Sequence, residues 1–149
     1  MPDLTETITV AAPADALYTL VSDLPRMGEW SPECTGVAWN SSTPGPAVGA
    51  RFVGRNRVGA ARWMTQGKVI EADPGRRFTF KIFFGPLQVA LWSYEFTPTA
   101  EGCVVAESWT DRRPAALRSA MNAIFGDRLK LNQRGIRITL DRLKAAAEG

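Results

Sequence analysis

Residues 114–147, PAALRSAMNAIFGDRLKLNQRGIRITLDRLKAAA, decide how the rest of the chain is read. They form one long amphipathic pattern. At roughly 100° per residue, Leu117, Met121, Ile124, Phe125, Leu129, Ile136, Leu140 and Leu143 gather on one broad arc. Lys130, Arg134, Arg137, Asp141 and Lys144 fall on the opposite side. Pro114 suits a first helical turn, where a missing N–H costs little, and Thr110 or Asp111 can cap the start. The pattern predicts a single helix from about Pro114 to Ala147. The centre of its apolar arc holds Arg128, Asn132, Gly135 and Thr139, where a core helix would carry large apolar residues. Two readings fit. Either Arg128 snorkels to solvent and Asn132 caps a kink near Gly135, or the helix covers a cavity.

Composition narrows the rest. The 149 residues suit one domain, 1–149, with a substantial core, and 45% hydrophobic with 22% charged residues is ordinary for a globular chain. No apolar run approaches the ~18 residues of a membrane span, and the N-terminus lacks a signal peptide's apolar centre, so the expected location is the cytoplasm. There is no histidine. That removes Ser-His-Asp triads, Cys-His pairs and His-ligated metals, and leaves carboxylates, Tyr, Arg, Lys, Ser/Thr or water for any chemistry. Cys34 and Cys103 form no CxxC and give no metal spacing, so no metal and no cofactor are expected.

Charge is uneven. Residues 1–50 carry net −5, residues 51–81 net +6 and the remainder net +2, for +3 in all. The basic middle alternates with apolar residues as a solvated sheet face does. No RNP, KH or zinc-finger pattern accompanies it, so no nucleic-acid partner is expected.

Residues 3–10, DLTETITV, alternate as a first strand. A helix follows from Pro13, with Asp15 near its positive end and Leu17, Leu20 and Val21 as its stripe. Asp23-Leu24-Pro25 breaks it, and a short second helical turn is predicted to about Trp30. From residue 34 to 111 the period changes from 3.6 to 2. Strands are predicted at about 34–41, 50–58, 62–73, 76–84, 88–98 and 103–111, separated by short turn-rich gaps that imply consecutive antiparallel hairpins.

Alternation assigns faces. Phe52, Gly54, Asn56 and Val58 point one way; so do Trp63, Thr65, Gly67 and Val69, and Phe78, Phe80, Ile82 and Phe84. Trp92, Tyr94 and Phe96 continue the set, and Val105, Glu107 and Trp109 share a parity on the last strand. Phe80, Trp92 and Phe96 should be mostly buried, and Arg55, Arg57, Lys81 and Lys144 exposed. The inward set is aromatic-rich but contains Asn56, Thr65, Tyr94 and Glu107. It reads either as a core whose polar groups reach one another or as a pocket, since aromatic walls with a few convergent polar groups are what ligand cavities use. If Glu107 and Arg128 both point inward they should pair, because a lone buried charge is very costly.

The order of elements resembles the helix-grip fold. The residues that carry the resemblance are Ala12-Pro13-Ala14-Asp15-Ala16-Leu17-Tyr18, Leu20-Val21-Ser22-Asp23 and Trp30-Ser31-Pro32. Val48-Gly49-Ala50-Arg51-Phe52 through Asn56, Val69-Ile70-Glu71 with Pro74 to Phe78, Trp92 to Phe96, Gly102 and Glu107-Ser108-Trp109 extend it over the whole chain. The chain thereby resembles the SRPBCC superfamily (START and Bet v 1-like), in its polyketide cyclase/dehydrase-like branch. The resemblance implies an α+β fold: a seven-stranded antiparallel sheet curved around a long C-terminal helix, two short helices after the first strand, and a deep cavity between sheet and helix. Relatives bind lipids, sterols or polyketides there, and some catalyse ring closure or dehydration. No catalytic residue is common to all of them.

Three functions follow as expectations. In the first, a small apolar or aromatic ligand, lipid- or polyketide-like, lies against Trp63, Phe80, Trp92, Tyr94 and Trp109, with Asn56, Thr65, Glu107, Arg128 and Asn132 contacting its polar parts. In the second, a cofactor-independent cyclase or dehydratase uses Glu107 or Tyr94 for proton transfer and Arg128 to stabilise an enolate. In the third, a ligand-free adaptor binds a protein through its basic sheet face. In each case the protein works as a monomer or homodimer.

Overall fold

The computed structural model describes residues 1–149 and shows a single antiparallel sheet with helices on its inner face. Strand β1 (Leu4–Val10) leads into helix α1 (Ala14–Ser22) and a 3-10 helix (Leu24–Glu29). Six strands follow: β2 (Cys34–Trp39), β3 (Arg51–Val58), β4 (Ala61–Asp73), β5 (Arg77–Phe84), β6 (Leu87–Thr99) and β7 (Gly102–Asp111). The spatial order is β1-β7-β6-β5-β4-β3-β2, and every pair is antiparallel. Five consecutive hairpins thus build the sheet from β2 to β7, and β1 returns to pair with β7. The fold is the α+β helix-grip arrangement, and no helix is long and apolar enough to cross a membrane.

The inward parity puts Phe52, Val69, Phe78, Phe80, Tyr94, Phe96, Val105 and Trp109 in the core. The aromatic members form a connected line. Trp39 meets Phe52 edge-on at 5.8 Å, Phe52 meets Phe80 at 5.6 Å, and Phe80 touches Phe78 at 5.9 Å. Tyr18 of α1 then packs edge-on against both Phe78 and Phe96. Edge-to-face packing sets positive ring edges against negative faces, so each contact adds to the area it buries.

The C-terminal arm departs from the single helix expected. It is two helices, α2 (Ala115–Phe125) and α3 (Arg128–Glu148), separated at Gly126-Asp127. Gly126 has φ +94, a conformation glycine adopts without the Cβ clash other residues meet. Asp127 then caps α3, its side chain accepting a hydrogen bond from the Leu129 N–H at 3.0 Å. The break ends the apolar arc as one surface. Alpha-helix α2 has no buried residue, and Ile124, Phe125 and Leu129 are exposed. Asp111 does not cap α2 either; Pro114 holds the cap position, and Asp111 binds Arg113 and Arg118 instead.

Helix α3 packs its second half, through Ile136, Leu140 and Leu143, into the core beside β1 and α1. Its polar side chains reach the open edge of β1. Arg137 donates to the Thr7 carbonyl at 3.1 Å, Lys144 to the Thr9 carbonyl at 3.0 Å, and Glu148 accepts from the Ala11 N–H at 2.8 Å. An edge strand's unpaired groups are a liability unless covered, and here the helix covers them. These contacts leave Lys144 half-buried rather than exposed. Lys81 is also half-buried because it stands mid-sheet between Lys68 and Leu91, and Trp92 is half-buried because it borders a cavity.

Gly67 of β4 lies under Phe52: a Cβ there would come within 2.0 Å of the ring. Because Trp39 and Phe80 hold that ring, Gly67→Ala should destabilise the protein by ~1–3 kcal/mol in urea unfolding. A loss below about 0.5 kcal/mol, the range of neutral surface changes, would mean the ring is free to move.

Candidate functional site

Between the inner sheet face and the first half of α3 lies a cavity of about 520 Å³, lined mainly by apolar side chains. It explains the polar centre of the last helix. Arg128, Asn132, Gly135 and Thr139 all border this space, whereas the large residues one and two turns later fill the core. Asn132 therefore caps no kink; the chain bends earlier, at Gly126. On the opposite flank α2 contributes Leu117, Met121 and Phe125.

All ten residues singled out from sequence border this one cavity. Trp63, Phe80, Trp92 and Trp109 form its aromatic wall, with the Trp92 and Trp109 rings 6.4 Å apart and tilted by 40°. Asn56 and Thr65 meet across the β3–β4 hairpin, the amide donating to the hydroxyl at 3.3 Å. Each therefore satisfies part of the other's hydrogen-bonding capacity.

Tyr94 and Glu107 stand opposite each other on β6 and β7. Both are buried, and the Tyr94 hydroxyl donates to Glu107 Oε2 at 2.7 Å. Burial pushes the Glu107 carboxyl up to about 8, against the lowering effect of the Tyr94 hydrogen bond. Burial, and then the Glu107 charge, pushes the Tyr94 phenol well above its usual range. The second oxygen, Glu107 Oε1, is buried and has no hydrogen-bond partner.

The expected Glu107–Arg128 pair does not form. Arg128 Nη1 donates to Glu33 Oε1 at 2.5 Å and lies 3.5 Å from Asn132 Oδ1, with the guanidinium 5.7 Å from the Trp63 ring centroid. Arg128 opens α3, and there it meets the segment just before β2 rather than the interior of β7. Each charge found another solution: Arg128 took an acid at the cavity border, and Glu107 took a neutral hydroxyl. Arg113, also on the border, is buried against Asp111 at 2.7 Å.

Several border groups were not singled out from sequence. Glu33 is an isolated acid with no pattern around it, so nothing marked it. The contribution of α2 was concealed by reading the arm as one helix. Gly126-Asp127, a stop residue followed by a capping residue, was the signal that could have shown the boundary.

Over residues 1–148 the chain matches the family described as polyketide cyclase / dehydrase and lipid transport, and it belongs to that family, within the SRPBCC superfamily. A polyketide cyclase-like protein from Corynebacterium glutamicum, solved in solution, is 36% identical, with TM-score 0.64 over 96% of this chain and 89% of that one. The di-domain ARO/CYC StfQ of the steffimycin biosynthetic pathway shares the fold at 20% identity and TM-score 0.75, over 97% of this chain and 50% of StfQ. Among curated proteins, the ribosome association toxin RatA of Escherichia coli (strain K12) is 26% identical over 101 residues, 68% of this chain. The match spans 61% of that relative's length.

Glu107 gives stability a pH dependence of known sign. Its folded-state value, about 8, lies above the ordinary 4.5, so between those values the folded protein binds the extra proton. The stabilisation is complete below 4.5 and is lost as pH rises through about 8, with an upper bound on the order of 5 kcal/mol. Glu107→Gln should flatten this fall in urea titrations from pH 5 to 9. An unchanged slope would show that the carboxyl is ionised in the folded state.

Proposed function

We propose that the protein binds a small hydrophobic or aromatic molecule, lipid- or polyketide-like, in the cavity between the sheet and α3, with residues 1–149 acting as one domain. The observation that carries this reading is the cavity itself: about 520 Å³, rich in aromatic rings on the sheet side, bordered by Leu117, Met121 and Phe125 on the α2 side, and lined mainly by apolar residues. A pocket of this size and lining suits a drug-sized apolar ligand, and burying such a ligand's surface supplies affinity. Trp63, Phe80, Trp92 and Trp109 form the contact wall; Tyr94 and Glu107 present the buried polar group, and Asn56, Thr65, Arg128 and Asn132 contact the ligand's polar parts. Family membership and the ARO/CYC neighbours support a hydrophobic-ligand-binding or cyclase-type fold.

A second reading makes the protein a cofactor-independent cyclase or dehydratase. It is favoured by Glu107, whose carboxyl is tuned to about 8, close to working pH, as a general acid or base requires. Arg128 is less suited to hold an enolate than expected, because Glu33 already neutralises it. A filled core would have favoured a ligand-free adaptor, and the cavity of about 520 Å³ favours a ligand instead.

Native mass spectrometry of the protein from its own host tests the first reading. A discrete mass released on denaturation, and lost when Trp92→Ala and Trp109→Ala are combined, is the expected result. Protein that is empty at every concentration, and that takes up no apolar probe, would overturn it. If the protein is instead an enzyme, Glu107→Gln should lower turnover roughly 10²–10⁴-fold with binding retained.

A further inference from the structure

Two buried polar side-chain atoms lack any hydrogen-bond partner, Trp30 Nε1 and Glu107 Oε1, and of these two residues only Glu107 borders the cavity. An orphaned buried oxygen costs free energy, and a structure keeps it where something else satisfies it. The charged groups nearby are already matched. Arg128 is bound to Glu33 and Arg113 to Asp111. Glu6, opposite Glu107 on β1, is bound to Arg137 of α3. Tyr94 of β6 donates to Oε2, and Cys34 of β2 borders the cavity as a thiol kept neutral by burial. The remaining cation on the cavity border, Arg62, is exposed near the start of β4, and Glu107 is held by the Tyr94 hydroxyl rather than by a cation.

We infer that the cavity recognises a ligand bearing a carbonyl oxygen at its buried end, with Glu107 as a neutral carboxylic acid donating to that oxygen through Oε1. This rests on the cavity being a ligand site. The donor direction follows from the pair itself. With the Tyr94 hydroxyl donating to Oε2, the oxygen left without a partner, Oε1, is the one whose proton can serve a ligand. A lone carboxylate without a cation would be far costlier to bury than the acid, in line with the raised value, about 8, for this group. The hydrogen bonds then run one way, from Tyr94 Oη to Oε2 and from Oε1 to the ligand. The Trp63, Trp92 and Trp109 wall favours a flat ring system around that carbonyl.

Fluorenone and fluorene test this, being flat tricyclic probes of near-identical shape that differ in one carbonyl. Tryptophan quenching at pH 6.5 should show fluorenone binding roughly tenfold more tightly, the worth of one buried hydrogen bond. The preference should vanish between pH 8 and 9.5 as Glu107 ionises. Glu107→Gln should keep the preference without its pH dependence: Tyr94 still needs an acceptor, so the amide oxygen faces Tyr94 and the amide N–H faces the cavity. Glu107→Leu should bind both probes alike. Equal affinity of the two probes for the native protein, or a preference that survives Glu107→Leu, overturns the inference while leaving the cavity a binding site. So does tighter binding of 9-aminofluorene as its ammonium, which would make Glu107 a carboxylate counter-ion. If no probe binds at all, the ligand site fails and the carbonyl specificity fails with it.

Discussion

The structure depends on how the second half of α3 is fixed along β1. Ile136, Leu140 and Leu143 bury their side chains in the core, while Arg137, Lys144 and Glu148 answer the carbonyls and N–H of the strand's open edge. One element thus does two things that an antiparallel sheet needs: it covers the apolar face and it closes an edge. The apolar contacts supply most of the stabilisation, because the charged contacts are partly exposed and worth little individually. Their value is directional. They set the height and rotation of the helix, and so decide which of its residues face the sheet.

With the second half fixed, the first half of α3 has to span the sheet where the inward side chains do not reach it. The space left beneath is the cavity. Arg128, Asn132, Gly135 and Thr139 border it together with Leu131 and Ile136, and the polar or small residues among them do not fill the gap as a run of large apolar side chains would. Helix α2 turns away at Gly126 and flanks the opening with Leu117, Met121 and Phe125. It buries no residue of its own, and its start is held by the Asp111, Arg113 and Arg118 cluster. The packed half and the open half of the molecule are therefore separated along a single helix.

The electrostatics follow the same division. Arg128 is countered by Glu33 where both are part-exposed, at a modest desolvation cost. Glu107 lies where no cation can reach it without burial, and its burial is tolerable only because a carboxyl can hold its proton. The Tyr94 hydroxyl stabilises one oxygen and leaves the other free. That difference between two acids bordering one cavity separates a structural ion pair from a group available for chemistry.

Much of this was legible in the chain. Period-2 alternation over residues 3–10 and 34–111 marked the strands and their inward faces, because a strand's side chains point alternately to opposite sides whatever the context, and the short turn-rich gaps made consecutive strands antiparallel. Glu107 was placed inward on that ground, on the strand whose two faces differed least, and the structure places it there. The polar stripe at Arg128, Asn132, Gly135 and Thr139 was visible for the same reason, helical spacing being a local property; it left a kink or a cavity open, and the structure places all four on the cavity border. What sequence could not decide was which partner each buried charge would take. Pairing depends on where the first turn of α3 falls relative to β2 and β7, and a helix broken at Gly126 falls differently from a continuous one. Only the tertiary structure brought Arg128 to Glu33, since the packing of the helix on the sheet sets that separation; Glu107 meets Tyr94 through the β6–β7 register, which the exact strand pairing decided.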